Sequence, residues 1–140
     1  MDCYEMPASL LIPYAVVDAE HQALIEILNP ALQVIQSARN PEAHILYPFL
    51  ESLREGLRQH FAHEEQEMAK LEYPDLAQHK VHHAKCVVRL DEICDAVTTG
   101  EKKPDKHLLD ELYDMIIDDI IRADSGFKSF LHAQNICVHS

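Results

Sequence analysis

Four stretches of this chain carry apolar residues at the period of a helix, and each stripe is broken by groups that are costly to bury. The first runs His21, Leu24, Ile25, Leu28, and the second Leu53, Leu57, His60, Phe61, Glu64, Met68. The third gives Leu76, His79, His83, Cys86, Val87, Leu90. The fourth gives Leu112, Met115, Ile116, Asp119, Ile120, Ala123, with Asp124 at the next edge. An unpaired carboxylate in an apolar core costs several kcal/mol, a large part of the roughly 5–15 kcal/mol that holds a small domain folded. Several such groups converging make sense only if positive charge sits between them.

The punctuation between the stripes fits an all-α chain. Residues 1–17, with Pro7 and Pro13, read as an irregular arm, and Asp18 caps a first helix from about Ala19 to Arg39. Asn40-Pro41 breaks it. A second helix is expected over about Glu42 to Glu72, with Pro48 marking a kink or the true first turn. Tyr73-Pro74-Asp75 opens a third, which Thr98-Thr99-Gly100 ends. Pro104 or Asp105 starts a fourth that runs to about Asp124, where Ser125-Gly126 stops it, and Phe127, Phe130 and Leu131 form a short hydrophobic tail. Short connections between long helices predict an up-down-up-down four-helix bundle. Its 140 residues suit a single domain, 1–140, with its core over about 14–131. With 47% hydrophobic residues and three glycines, the composition favours a helical globule.

The spacing of the stripe-breaking groups is that of metal ligands. His60/Glu64 and His79/His83 are i,i+4 pairs, stacked one turn apart so that both side chains reach one point. Imidazole mixed with carboxylate suits iron, manganese or zinc, and no thiols stand where a zinc finger would need them. Seven candidates, His21, His60, Glu64, His79, His83, Asp119 and Asp124, are too many for one tetrahedral ion and about right for two bridged metals. A bridge needs a residue with two free oxygens, which Glu64 and Asp124 supply.

A lone histidine at such a position is more often a hydrogen-bonded core or boundary residue than a ligand. Asp119 alone also fits a water-exposed flank beside Asp118. The set differs, because four helices would have to mislead together. His44, His63, His82, His107, His132 and His139 fall off the stripes and read as surface residues. His82 is ambiguous, since 79/82 is also a helical pair; the phase through Leu76 and Val87 favours His83.

Other classes are excluded by bulk properties. A formal charge of −12 argues against nucleic acid and anionic membranes as partners. No stretch approaches the roughly 20 apolar residues of a membrane span, and the N-terminus lacks a basic start followed by an apolar run. A cytoplasmic location is expected. Cys3, Cys86, Cys94 and Cys137 form no C-x-x-C pair and read as small core or surface thiols.

The segments V-V-D-A-E-H (16–21), H-F-A-H-E-E-Q-E-M (60–68), Y-P-D-L-A-Q-H-K-V-H-H (73–83) and D-I-I-R-A-D (119–124) resemble the hemerythrin and bacteriohemerythrin family over about residues 14–131. The resemblance implies two iron ions sharing a glutamate, an aspartate and an oxo or hydroxo bridge, with dioxygen bound at one of them. It assigns His21 and His60 to the dioxygen-binding iron, His79 and His83 to its partner, and Glu64 and Asp124 to the bridges. The partner iron's third histidine would stand five residues before the bridging aspartate, where this chain has Asp119. Met115 replaces a usual aromatic, and Arg122 a large aliphatic that closes the dioxygen pocket. Asp119 either ligates, adding an anion that favours ferric iron, or is too short and leaves a position open to water or substrate. Arg122 pairs with Asp119 or, one turn back on the surface, with Asp118.

These departures disfavour long-lived reversible dioxygen carriage. The expected function is a di-iron protein that binds or responds to dioxygen and autoxidises readily. The alternatives are a di-iron redox enzyme acting on peroxide or nitric oxide, a plain iron-binding module, and a metal-free interaction bundle.

Overall fold

Asp18 lies inside the first helix rather than capping it. The computed structural model describes residues 3–38 and 41–136, and in it α1 (Ala15–Glu26) begins ahead of the expected Ala19. The Asp18 carboxylate accepts the Ile12 N–H at 2.9 Å, pinning the end of the N-terminal arm to the helix. The rest of the arm is strapped down by reciprocal bonds between the Tyr4 backbone and the Asn29 amide, and by the Tyr4 hydroxyl donating to Asp110 at 2.7 Å. A 3₁₀ turn, Ala8–Leu10, lies within it.

The first rod continues as α2 (Leu28–Ser37) after a pause at Ile27, which keeps helical angles. Pro30 explains the pause, since it has no N–H to donate to the Glu26 carbonyl four residues earlier. The expected break at Asn40-Pro41 falls partly outside the described residues, as do Arg39, Cys137 and His139. A 3₁₀ turn over Ala43–Leu46 precedes α3 (Tyr47–Lys70), with Pro48 in the first turn where a missing N–H costs nothing. The Glu72 backbone takes a left-handed φ of 56°, and Tyr73 N–H closes onto the Met68 carbonyl, tucking the Tyr73 ring under the bundle. α4 (Leu76–Thr99) ends at Gly100, whose φ of 88° suits a residue without Cβ.

The fourth rod departs furthest from expectation. α5 (Lys106–Met115) starts where Asp105 Oδ1 accepts the Leu108 N–H at 3.2 Å. It then widens into a π-helix over Ile116–Ile121, tightens into a 3₁₀ turn over Arg122–Asp124, and runs on as α6 (Ser125–Ala133). Ser125-Gly126 therefore does not stop the rod. Gly126 is there for clearance, because a Cβ at that position would lie 2.7 Å from the Tyr73 hydroxyl.

The rods form the expected all-α, up-down-up-down bundle, and its interior has two apolar parts. The larger holds Leu24, Leu57, Phe61, Cys86, Leu90, Leu112, Ile116 and Ile121 among others. The smaller, at one end, holds Ile12, Tyr14, Val17, Met68, Tyr73, Phe127 and Leu131. On every rod the polar layer falls between them: His21 between Val17 and Leu24, Glu64 between Phe61 and Met68, His79 and His83 between Tyr73 and Cys86, and Asp124 between Ile121 and Phe127.

Tyr73 packs against Phe127 and Phe130, with ring centroids 5.2 Å apart in each pair, so its ring has little room to yield. Gly126→Ala should therefore destabilise by about 1–3 kcal/mol, the usual cost of overpacking, although alanine is intrinsically the better helix former. Thermal unfolding checks this; a raised melting temperature would show that Tyr73 yields freely.

Candidate metal centre

Six ionisable side chains, His21, His60, Glu64, His79, His83 and Asp124, meet in the layer between the apolar parts, each 8% exposed or less. They fall into two groups of four, His21, His60, Glu64, Asp124 and Glu64, His79, His83, Asp124, with the ligand atoms in each group within 4.8 Å of one another. Glu64 and Asp124 belong to both. Glu64 turns Oε2 toward His60 Nε2 (3.2 Å) and His21 Nε2 (3.8 Å), and Oε1 toward His79 Nε2 (2.8 Å) and His83 Nε2 (3.1 Å). Asp124 likewise turns Oδ2 to His21 Nε2 (3.0 Å) and Oδ1 to His79 Nε2 (2.8 Å). Each carboxylate thus turns one oxygen to each histidine pair, Glu64 reaching both members and Asp124 one member of each.

Close approach does not satisfy these atoms. His21 Nε2, His60 Nε2, Glu64 Oε2 and both Asp124 oxygens lack an aligned hydrogen-bond partner, although they are buried. Orphaned buried donors and acceptors that face one another at such distances are able to hold a cation.

The electrostatics point the same way. Burial opposes a charged His60, but the Glu20 and Glu64 carboxylates outweigh it and push its pKa up to about 9. His79 reaches about 9 too, with Asp124 and Glu64 overcoming burial. Burial alone would raise Glu64, yet the close His60, His79 and His83 rings hold it well below the usual carboxylate range. Asp124 is raised, first by burial and then by the Glu64 charge beside it. A pair of carboxylates this close and this dry calls for positive charge, which protons or metal ions can supply.

Two further carboxylates, which sequence reasoning passed over, orient the rings. Glu20 Oε1 lies 3.0 Å from His60 Nδ1, and Glu65 Oε2 lies 2.7 Å from His83 Nδ1. A carboxylate at Nδ1 accepts a hydrogen bond from the ring N–H there and so leaves the Nε2 lone pair free for a metal. The only sequence signal was adjacency, Glu20 beside His21 and Glu65 beside Glu64. Phe61 stacks on the His83 ring at 3.8 Å.

Asp119 does not join the group. Its carboxylate pairs with Arg89 at the surface, and its backbone carbonyl is met by His82 and by the Cys86 thiol at 3.5 Å. The π-helix accounts for this, since its extra residue advances the inward phase by one. The buried positions run Ile116, Ile117, Ile120, Ile121, Asp124, which leaves Asp119 on the flank and moves Asp124 from the edge to the centre. Arg122 is exposed and pairs with Asp118 at 3.1 Å. Met115 is buried in the larger apolar part. His82 is half-buried outside the six, and His63 binds Glu20 at the surface. Cys86 and Cys94 are buried free thiols.

The profile of a domain family described as the hemerythrin HHE cation binding domain matches residues 12–130. A crystal structure of hemerythrin, in a leucine-to-alanine variant, superimposes with a TM-score of 0.76 at 22% identity, over 92% of this chain and 97% of that one. At that identity the likeness speaks for the fold. No curated protein sequence matches.

Proposed function

This chain belongs to the hemerythrin family of cation-binding domains, and on that premise we propose that it is a cytoplasmic non-haem di-iron protein that binds or responds to dioxygen. His21 and His60 would hold one iron, His79 and His83 the other, and Glu64 and Asp124 would serve both. The observation that carries the reading is the division of each carboxylate's oxygens between two histidine pairs. The donor set agrees, since imidazole nitrogen with carboxylate oxygen suits iron. Bound iron supplies a one-electron redox couple and coordination positions for a small diatomic ligand.

The protein's own contribution is to orient and to exclude water. Glu20 and Glu65 fix the His60 and His83 rings, and the apolar parts on either side keep the layer dry. Among the described residues no helix is long and apolar enough to cross a membrane.

A specific observation favours the redox enzyme as second reading. With Asp119 turned to Arg89, each histidine pair is joined, among the described residues, by Glu64 and Asp124 alone, four side chains to a group. Two ions held by such equivalent four-residue groups would suit turnover of peroxide or nitric oxide better than storage of dioxygen.

Protein from iron-replete cells should contain about two iron ions per chain by elemental analysis, and the reduced protein should gain a visible charge-transfer band on exposure to dioxygen. One metal or none, consistently, sinks the di-iron reading. Two irons without the band, together with turnover of peroxide or nitric oxide, moves the assignment to the enzyme.

A further inference from the structure

Three groups on one face of α4 converge on a single residue of the fourth rod. His82, Cys86 and Arg89 follow one another at helical spacing, so they stand in line along α4. The His82 ring Nε2 and the Cys86 thiol both reach the Asp119 backbone carbonyl, and Arg89 holds the Asp119 carboxylate. A carbonyl can only accept, so His82 carries its ring proton on Nε2 and donates from there. The thiol lies 3.5 Å from the same oxygen and 3.5 Å from His82 Nε2, a weaker second donor.

The convergence falls where the rod changes pitch. Arg122 N–H reaches back five residues to the Ile117 carbonyl, and Ser125 N–H only three, to the Arg122 carbonyl. Between those two bonds lie four carbonyls, of residues 118–121, but only the N–H groups of Ala123 and Asp124. With one carbonyl to each N–H, two carbonyls are left over. A carbonyl that faces a neighbouring rod is shielded from water and needs a donor there. At Asp119, α4 supplies it.

The phase of everything beyond Asp119 depends on this passage. In the observed register Ile120, Ile121 and Asp124 are buried and Asp119 stays on the flank. A continuous α-helix would give each of these carbonyls an N–H four residues on. It would also return Asp119 to the stripe of Leu112, Met115, Ile116 and Ile120 and carry Asp124 out to the edge. The wide turn leaves the Asp119 carbonyl free to accept from His82, so that bond favours the wide turn over the continuous helix.

We propose that His82, with Cys86 beside it, is a positioning residue that holds the fourth rod in its π register and so selects Asp124 over Asp119 as the carboxylate shared by both histidine pairs. It acts through the backbone of Asp119 and is not itself a ligand. Its effect on metal rests on Glu64 and Asp124 being shared ligands, as proposed above; its effect on the rod does not.

The full chain is compared with His82→Leu and with His82→Gln, which keeps an N–H donor. Backbone carbon NMR shifts over residues 116–124 of the metal-free chain read the register. His82→Leu should move them toward continuous α-helical values, and His82→Gln should leave them close to those of the unaltered chain. After loading with zinc(II), chelator competition should show an affinity lower by about tenfold or more for His82→Leu and nearly unchanged for His82→Gln. Asp119→Ala, silent on its own, should lower the affinity further when combined with His82→Leu. In the unaltered chain the His82 Nε2 nitrogen should show coupling across the hydrogen bond to the Asp119 carbonyl carbon. A freely exchanging ring N–H without that coupling overturns the proposal whether or not the variants fold. Unmoved shifts in His82→Leu overturn it too, because a bond that only adds stability lowers the melting temperature without turning the rod. Equal loss of zinc(II) from both variants, with the shifts unmoved, makes His82 a ligand instead. Shifts that respond as expected in a chain that takes up no zinc(II) uphold the hold on the rod and sink the metal assignment alone.

Discussion

Glu64→Ala should strip both metal positions in one substitution, whereas His21→Ala should weaken one position and leave the other. Among the described residues Glu64 is the only side chain with close contacts to all four histidines, two through each oxygen. Without it, two dications face each other across a dry layer with one shared anion fewer, and their repulsion is four times that of unit charges at the same separation. The fold itself should survive. Glu64 is fully buried against His60 and His79, so its removal takes a partner from two buried imidazoles and costs the metal-free chain some stability as well as a metal ligand. Metal per chain after iron loading and desalting is the measurement, with circular dichroism as the control for folding. Asp119→Ala in parallel should keep both metals, because its carboxylate is engaged with Arg89. Retention of one full equivalent by Glu64→Ala would mean that the carboxylate serves a single ion. Loss of metal from Asp119→Ala would mean that the fourth rod swings Asp119 inward on loading.

The parts of this molecule that follow strict helical periodicity were legible in its sequence. His60/Glu64 and His79/His83 each lie within one uninterrupted helix, where four residues bring side chains round to the same face, and the structure brings those four together. His83 rather than His82 points inward, as the phase through Leu76 and Val87 required. What escaped the reading lies where periodicity fails. The π-helix of the fourth rod leaves no mark in a four-residue stripe, so Asp119 looked central and Asp124 peripheral; one extra residue per turn exchanges those roles. Ser125-Gly126 looked like a stop signal because the contact that demands glycine, the Tyr73 hydroxyl, comes from more than fifty residues away in sequence. Glu20 and Glu65 were invisible for a related reason. Each touches a histidine on a different rod, and no spacing within one helix announces a partner across the bundle.

Metal affinity should climb about tenfold per pH unit from neutral pH to about 9 and then level off. The reason is competition with protons. His60 in one group and His79 in the other are each pushed up to about 9, because the neighbouring carboxylates outweigh burial. At pH 7 the metal-free chain therefore holds a proton on each, and each metal must expel one to reach the nitrogen. The sign for the fold is opposite. A histidine raised from its ordinary 6.5 to about 9 stabilises the metal-free fold fully below 6.5, and that contribution is lost as pH rises through 9. The melting temperature of metal-free protein should thus fall across this window, while the increment added by metal grows. Cobalt(II) or zinc(II) under anaerobic conditions separates binding from redox chemistry, with a chelator competition run at half-unit steps from pH 6.5 to about 9.5. A pH-stat at pH 7 should record about one proton released per metal. Glu20→Gln keeps a hydrogen-bond partner for His60 Nδ1 but removes the charge. It should move the plateau of the first position to lower pH and leave the second in place. An affinity that stays flat over the window would show that both rings are already neutral in the metal-free chain, and that the carboxylates, not the histidines, carry its protons.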